Sequence, residues 1–191
     1  MRLRYLCAAA VLGGCTLVGS AQMGPMPKGP TPGTMMSPAQ AQEELLNLFE
    51  QEFMGVAKAM PADKYSFAPP STNGAKFEGV RTFAQEVAHV SQANYYFSSK
   101  ILGEKMPAEA GGISKMTTKD ELLKAAADSF AYAHKAVASI TPENAYVAVD
   151  GVDGLHTRSV IASFISAHGY DHYGQMVEYL RMNGIVPPGS K

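Results

Sequence analysis

Apolar residues recur at helical spacing in four separate blocks of this chain, divided by segments rich in Pro and Gly. In the first block, Ser37 reads as an N-cap, Pro38 as the first helical residue and Gln40 as the closing side chain of a capping box. The helix runs to about Met60. Leu46, Phe49, Phe53, Val56 and Met60 alternate in steps of three and four, the seam of a helix bundle. After a loop holding Pro61, Pro69, Pro70 and Gly74, a second helix spans about Arg81 to Leu102. Its stripe is Phe83, Val87, Val90, Asn94, Phe97 and Ile101, and Gly103 and Pro107 end it. Thr118 and Glu121 form another capping-box pattern, opening a third helix to about Ile140 with Leu123, Ala126, Phe130, Ala133 and Val137 inside. Between Thr141 and His156 the period is lost. Ala145–Val149 is a short apolar run suited to extended chain, and Asp150-Gly151 and Asp153-Gly154 signal turns. A fourth helix runs from near Thr157 to Gly184, a C-cap glycine with Pro187 and Pro188 beyond. Four long helices with little strand signal predict an all-α four-helix bundle over residues 38–188.

The N-terminal end has a different pattern. Arg2 and Arg4 precede an apolar stretch from Leu6 to Val18, and Gly19-Ser20-Ala21 is a small-x-small cleavage site. Residues 1–21 therefore read as a secretory signal peptide, which predicts an exported protein, periplasmic or extracellular. The stretch is short for a spanning helix. Leu12-Gly13-Gly14-Cys15 also resembles a lipoprotein box, and cleavage there would leave a lipidated Cys15 as the only route to a membrane. Residues 22–37 form a Pro/Gly/Met-rich flexible tether. Its Met23, Met26, Met35 and Met36 are soft thioethers of the kind that bind copper(I), but a mobile linker with incidental Met is the simpler reading.

Composition narrows the chemistry. The 191 residues are 46% hydrophobic, enough for one domain with a core. The net charge of -1, or -3 once Arg2 and Arg4 leave with the leader, offers no basic stripe for nucleic acid. Both cysteines, Cys7 and Cys15, lie in the leader. Cleavage after Ala21 would remove every thiol, leaving His, carboxylates and water as metal ligands. No Gly-x-Ser-x-Gly nucleophile elbow and no nucleotide-binding loop is present.

The fourth helix carries Ile161, Ile165, His168, His172, Met176 and Tyr179 on one stripe. His168 and His172 are one turn apart on a face that should be buried, where unpartnered imidazoles cost about 1–3 kcal/mol each. Either each bonds a carbonyl or both share a ligand. His89 on the second helix lies roughly 120° from that helix's apolar stripe, a rim position. Three imidazoles on two helices would form a nitrogen site with an open position. His134, late in the third helix, reads as structural, His156 as a solvated loop residue, and Glu43 and Glu44 as a solvated face. Near the histidines, Glu86, Tyr96, Asp171 and Gln175 are candidates for proton handling or for supporting the ligands.

These residues carry a family resemblance. Phe83-Ala-Gln-Glu-Val-Ala-His89-Val-Ser-Gln-Ala-Asn-Tyr-Tyr-Phe97 resembles the second helix of the DinB-like superfamily. His168-Gly-Tyr-Asp-His172-Tyr-Gly-Gln175 resembles its helix-4 signature, and Tyr179–Pro188 looks like its closing segment. The resemblance covers about residues 38–188. It implies an up-down-down-up bundle with a divalent metal on His89, His168 and His172. Zinc is the default on availability, with nickel, iron or manganese as other fits. It also implies possible pairing into a homodimer and a small-molecule substrate. Characterised relatives include metal-dependent transferases and isomerases using a cytosolic thiol; a leader for export separates this chain from that pool. A metal- or ligand-binding bundle of the cell envelope without turnover is the alternative expectation.

Overall fold

The computed structural model describes residues 29–71 and 78–190. Residues 1–21, with Cys7 and Cys15, and Met23 and Met26 of the tether lie outside the described residues.

Four long helices build the domain: α1 (Pro38–Ala59), α2 (Phe83–Leu102), α4 (Lys119–Ala138) and α5 (Arg158–Met182), with a single-turn α3 (Ala110–Ile113) between α2 and α4. Ser37 and Gln40 form the full reciprocal capping box at α1, and Thr82 and Gln85 form one at α2. Thr118 caps α4, but the expected box does not close. The Thr118 hydroxyl instead donates to the Glu121 carboxylate at 2.5 Å. Gly103 and Gly184 adopt positive φ just past the helices they terminate.

Named contacts fix the helix directions. Phe49 meets Tyr170 and Gln42 meets Ser159, so α1 and α5 run parallel. Lys119 bonds the Met60 carbonyl and His134 bonds Glu43, so α4 runs against α1. Tyr179 bonds the Arg81 carbonyl and Arg158 that of Ile101, so α2 runs against α5. Asn94 bonds Ser129 and Tyr95 packs on Tyr132, so α2 and α4 are parallel. The bundle is therefore up-down-down-up, an all-α fold.

The α1 and α2 stripes are buried as the periodicity predicts, and so is the fourth-helix stripe except for His168, which is half-buried. Phe49 sits at the centre, its ring 5.6 Å from Phe53, 5.4 Å from Phe130 and 5.2 Å from Tyr170. On α4 the fully buried leucine is Leu122, with Leu123 only partly covered. Ala126, Phe130, Ala133 and Val137 are buried as expected, and only the leucine differs.

Between α4 and α5 the chain makes a hairpin, β1 (Ala148–Val152) with β2 (Leu155–Thr157), antiparallel. Asp153 and Gly154 both have positive φ, as a two-residue hairpin turn requires. The expected extended run Ala145–Val149 begins three residues late. Asn144 folds back to accept from Thr141 N–H and to donate to the Ser139 carbonyl, holding residues 142–146 in turns.

Glu43 is not part of a solvated face. His134 lies between two carboxylates of α1, with Nδ1 2.6 Å from Glu43 and Nε2 2.8 Å from Glu50. This pairing clamps α4 to α1, in keeping with a structural role for His134. His156 is exposed on β2, and Glu44 is exposed on α1.

Candidate metal centre

The antiparallel crossing of α2 on α5 brings His89, His168 and His172 together. Each offers one ring nitrogen, and the three atoms lie within 4.8 Å of one another. His89 Nε2 and His168 Nε2 are 3.3 Å apart. The ring of His172 stands 4.5 Å from His89 and 4.7 Å from His168, centroid to centroid. His172 is buried, and the other two are half-buried at the rim. Phe97 closes one side, its ring edge-on to His168 at 5.2 Å.

Glu86, three residues before His89 on α2, is 1% exposed, and its carboxylate lies 2.7 Å from His172 Nδ1. A carboxylate can only accept, so Nδ1 donates to Glu86 and Nε2 is left for another partner. This is the outer partner a metal-binding imidazole ordinarily has, fixing both tautomer and ring orientation.

His89 and His168 resist protonation. Burial lowers His89 from 6.5 to about 4, helped by the positive charge of Arg81 and by His172 and His168, and opposed by Glu86. Burial also lowers His168, followed by the charge of His172, against the pull of Asp171. Neutral imidazoles are the ligating form.

The donor set fits a divalent ion. Two nitrogens on a tetrahedral zinc, each about 2.0–2.1 Å from it, stand roughly 3.3–3.4 Å apart, and the His89–His168 separation matches. His89, His168 and His172 could thus hold a metal ion, with Glu86 behind His172.

The other candidates are placed differently. Tyr96 is 42% exposed and packs on Phe97 and beneath the Lys100 ammonium. Asp171 is exposed and lies 3.5 Å from the Gln175 amide, so these two meet each other. Arg81 was not apparent from the sequence. It opens onto a pocket of about 380 Å³ that also includes His89, Gln85, Gln92 and Ser114. The pattern of apolar positions does not mark it, because the pocket forms only where the start of α2 meets Ser114.

A bundle with three histidines gathered at one rim and a buried carboxylate behind them defines a histidine-centred helical domain. The DinB superfamily profile matches residues 45–176, more than half of the chain, and the chain belongs to this superfamily. Among solved structures it is similar to a DinB-like protein from Bacillus cereus ATCC 10987. Identity is 16%, with 80% of this chain and 97% of that one covered, at a TM-score of 0.64, a likeness of fold. No curated protein matches.

The depressed histidines give a pH dependence. In the unfolded chain His89 takes up a proton near pH 6.5, and in the folded metal-free protein only near pH 4. Between these values the unfolded state binds more protons, so acidification destabilises the fold. Melting temperature without metal should fall as pH drops from about 6.5 to about 4. Thermal melts of His89→Gln should show a shallower fall over that window.

Proposed function

We propose that this protein is an exported, metal-dependent enzyme that performs transfer or hydrolysis on a small molecule, with zinc on His89, His168 and His172. The observation that carries the reading is the buried Glu86–His172 pair, which orients one of three clustered imidazoles, another of which, His89, lines an open pocket. A divalent ion on neutral imidazoles keeps its full charge and acts as a Lewis acid toward an oxygen or sulfur of the substrate. Glu86 holds His172 in position, Phe97 shields His168 from water, and the pocket beside His89 admits the substrate. The leader pattern of residues 1–21 supports export to the periplasm or cell exterior, and the Pro/Gly-rich residues 22–37 suit a tether. Lipidation at Cys15 would add a membrane anchor, and pairing into a homodimer accords with the superfamily.

The second reading is an envelope protein that binds a metal or small ligand without turnover. One observation favours it: Ser114 carries the one hydroxyl among the described pocket-lining residues, and none of them carries a carboxylate for proton transfer. Assays of the zinc-loaded protein on ester, amide and thiol-transfer substrates separate the two. The enzyme reading expects turnover that disappears in His168→Ala. Turnover unchanged in that variant contradicts it, and saturable binding without turnover favours the second reading. N-terminal sequencing of the protein recovered outside the cytoplasm tests export. Gln22 as first residue agrees, and an intact Met1 on an intracellular product does not.

A further inference from the structure

Arg81 is the one charged residue among the described pocket-lining residues, and it faces the neutral His89. It is half-buried, and among the described residues no carboxylate lies within ion-pair distance of it. A guanidinium that is partly desolvated and lacks a counter-ion is a costly arrangement unless an anion completes it. Its root is fixed. The Tyr179 hydroxyl, from a 4% exposed residue, donates to the Arg81 carbonyl at 3.0 Å, and the next residue, Thr82, is locked in the capping box.

The start of α2 cannot take this anion through its own backbone. Phe83 N–H donates to the Phe67 carbonyl and Ala84 N–H to that of Tyr65, both at 2.8 Å. Gln85 N–H goes to the Thr82 hydroxyl and Glu86 N–H to the Thr82 carbonyl. The first-turn donors are therefore occupied, and the side chains remain. Gln85 uses its carbonyl oxygen in the cap, so its amide NH₂ takes no part there. Gln92 and Ser114 add polar groups to the same wall.

We propose that this pocket is a carboxylate subsite, in which Arg81 anchors the carboxylate of a small substrate whose other end reaches His89. A single guanidinium matches a singly charged, planar carboxylate through two parallel N–H···O bonds. A dianion such as phosphate would keep an uncompensated charge, since the described wall supplies no second Lys or Arg. The inference rests on the reading that histidines and pocket form one substrate site, and it assigns that substrate a carboxylate.

The test uses the full chain, stripped of metal by chelation, at neutral pH. Propionate is the probe, propionamide its uncharged twin, and the backbone amide NMR signals of Gly79, Val80, His89 and Ser114 the readout. Propionate should shift these signals saturably and propionamide should not. Arg81→Gln should bind propionate about tenfold more weakly or worse, with Arg81→Lys in between. Equal shifts from propionamide, unchanged binding in Arg81→Gln, or tighter binding of inorganic phosphate than of propionate would overturn the subsite. Zinc content, measured in parallel, separates the two readings. A zinc-binding chain that ignores propionate refutes the subsite alone. Arg81-dependent propionate binding by a chain that takes no zinc supports the subsite and refutes the metal reading.

Discussion

His172→Ala should destabilise the metal-free protein by about 3 kcal/mol, the cost of leaving a buried carboxylate without its hydrogen-bond donor. Glu86 is 1% exposed, and its carboxylate faces His172 Nδ1 at 2.7 Å. Truncating the imidazole removes that bond and leaves a carboxylate facing a new cavity. Glu86→Gln keeps the shape and removes the charge, so on its own it should cost less. The pair His172→Ala with Glu86→Gln should recover part of the loss, because no charge remains stranded. A double-mutant cycle by urea denaturation measures this directly. Additive losses would show that the two groups do not depend on each other. The contrast with His168 is informative. Its ring meets His89, Phe97 and Phe164 but no carboxylate among the described contacts, so His168→Ala should fold nearly as well as the wild type.

Gly169→Ala should also destabilise, although alanine is the better helix former. Gly169 is buried in α5, and a Cβ there would lie 2.0 Å from Phe49 Cζ and 2.5 Å from Cε1. A flexible side chain could yield, but Phe49 is 0% exposed and wedged between Phe53, Phe130 and Tyr170. The intrinsic helical gain is about 1 kcal/mol. Forcing the ring aside in a close-packed core costs about 1–3 kcal/mol or more, and a gap this short sits at the upper end. The net loss should be roughly 2 kcal/mol, a fall in Tm of roughly 4–8 °C for a domain of this size. Gly169→Ala with Phe49→Leu should regain part of it. A melt at or above the wild-type temperature for the single variant would refute this packing argument.

The long helices were legible because each buries one face. The stripe from Leu46 to Met60 is covered throughout. Errors arose where burial depends on a distant partner. Leu122 replaces Leu123 inside because α4 must face both α1 and α2, which local periodicity does not specify. Glu43 looked solvated because its partner, His134, is 91 positions away. At the site, the four-residue step from His168 to His172 was legible, and His89 joined them through the family resemblance. Which carboxylate supports which histidine was not. Adjacent helical positions point about 100° apart, which disfavours Asp171 as the partner of His172, but only the antiparallel crossing of α2 on α5 sends Glu86 there. Arg81 was invisible for the same reason: its pocket exists only once residues 79–92 and Ser114 are assembled.

The most direct test of the central claim is metal content of the full chain, purified without a His tag, beside His168→Ala. The account predicts about one divalent ion per chain in the wild type, and its loss in a variant whose circular dichroism is unchanged. A wild type that takes no zinc, nickel or manganese after reconstitution, or a His168→Ala that keeps its metal, would contradict it.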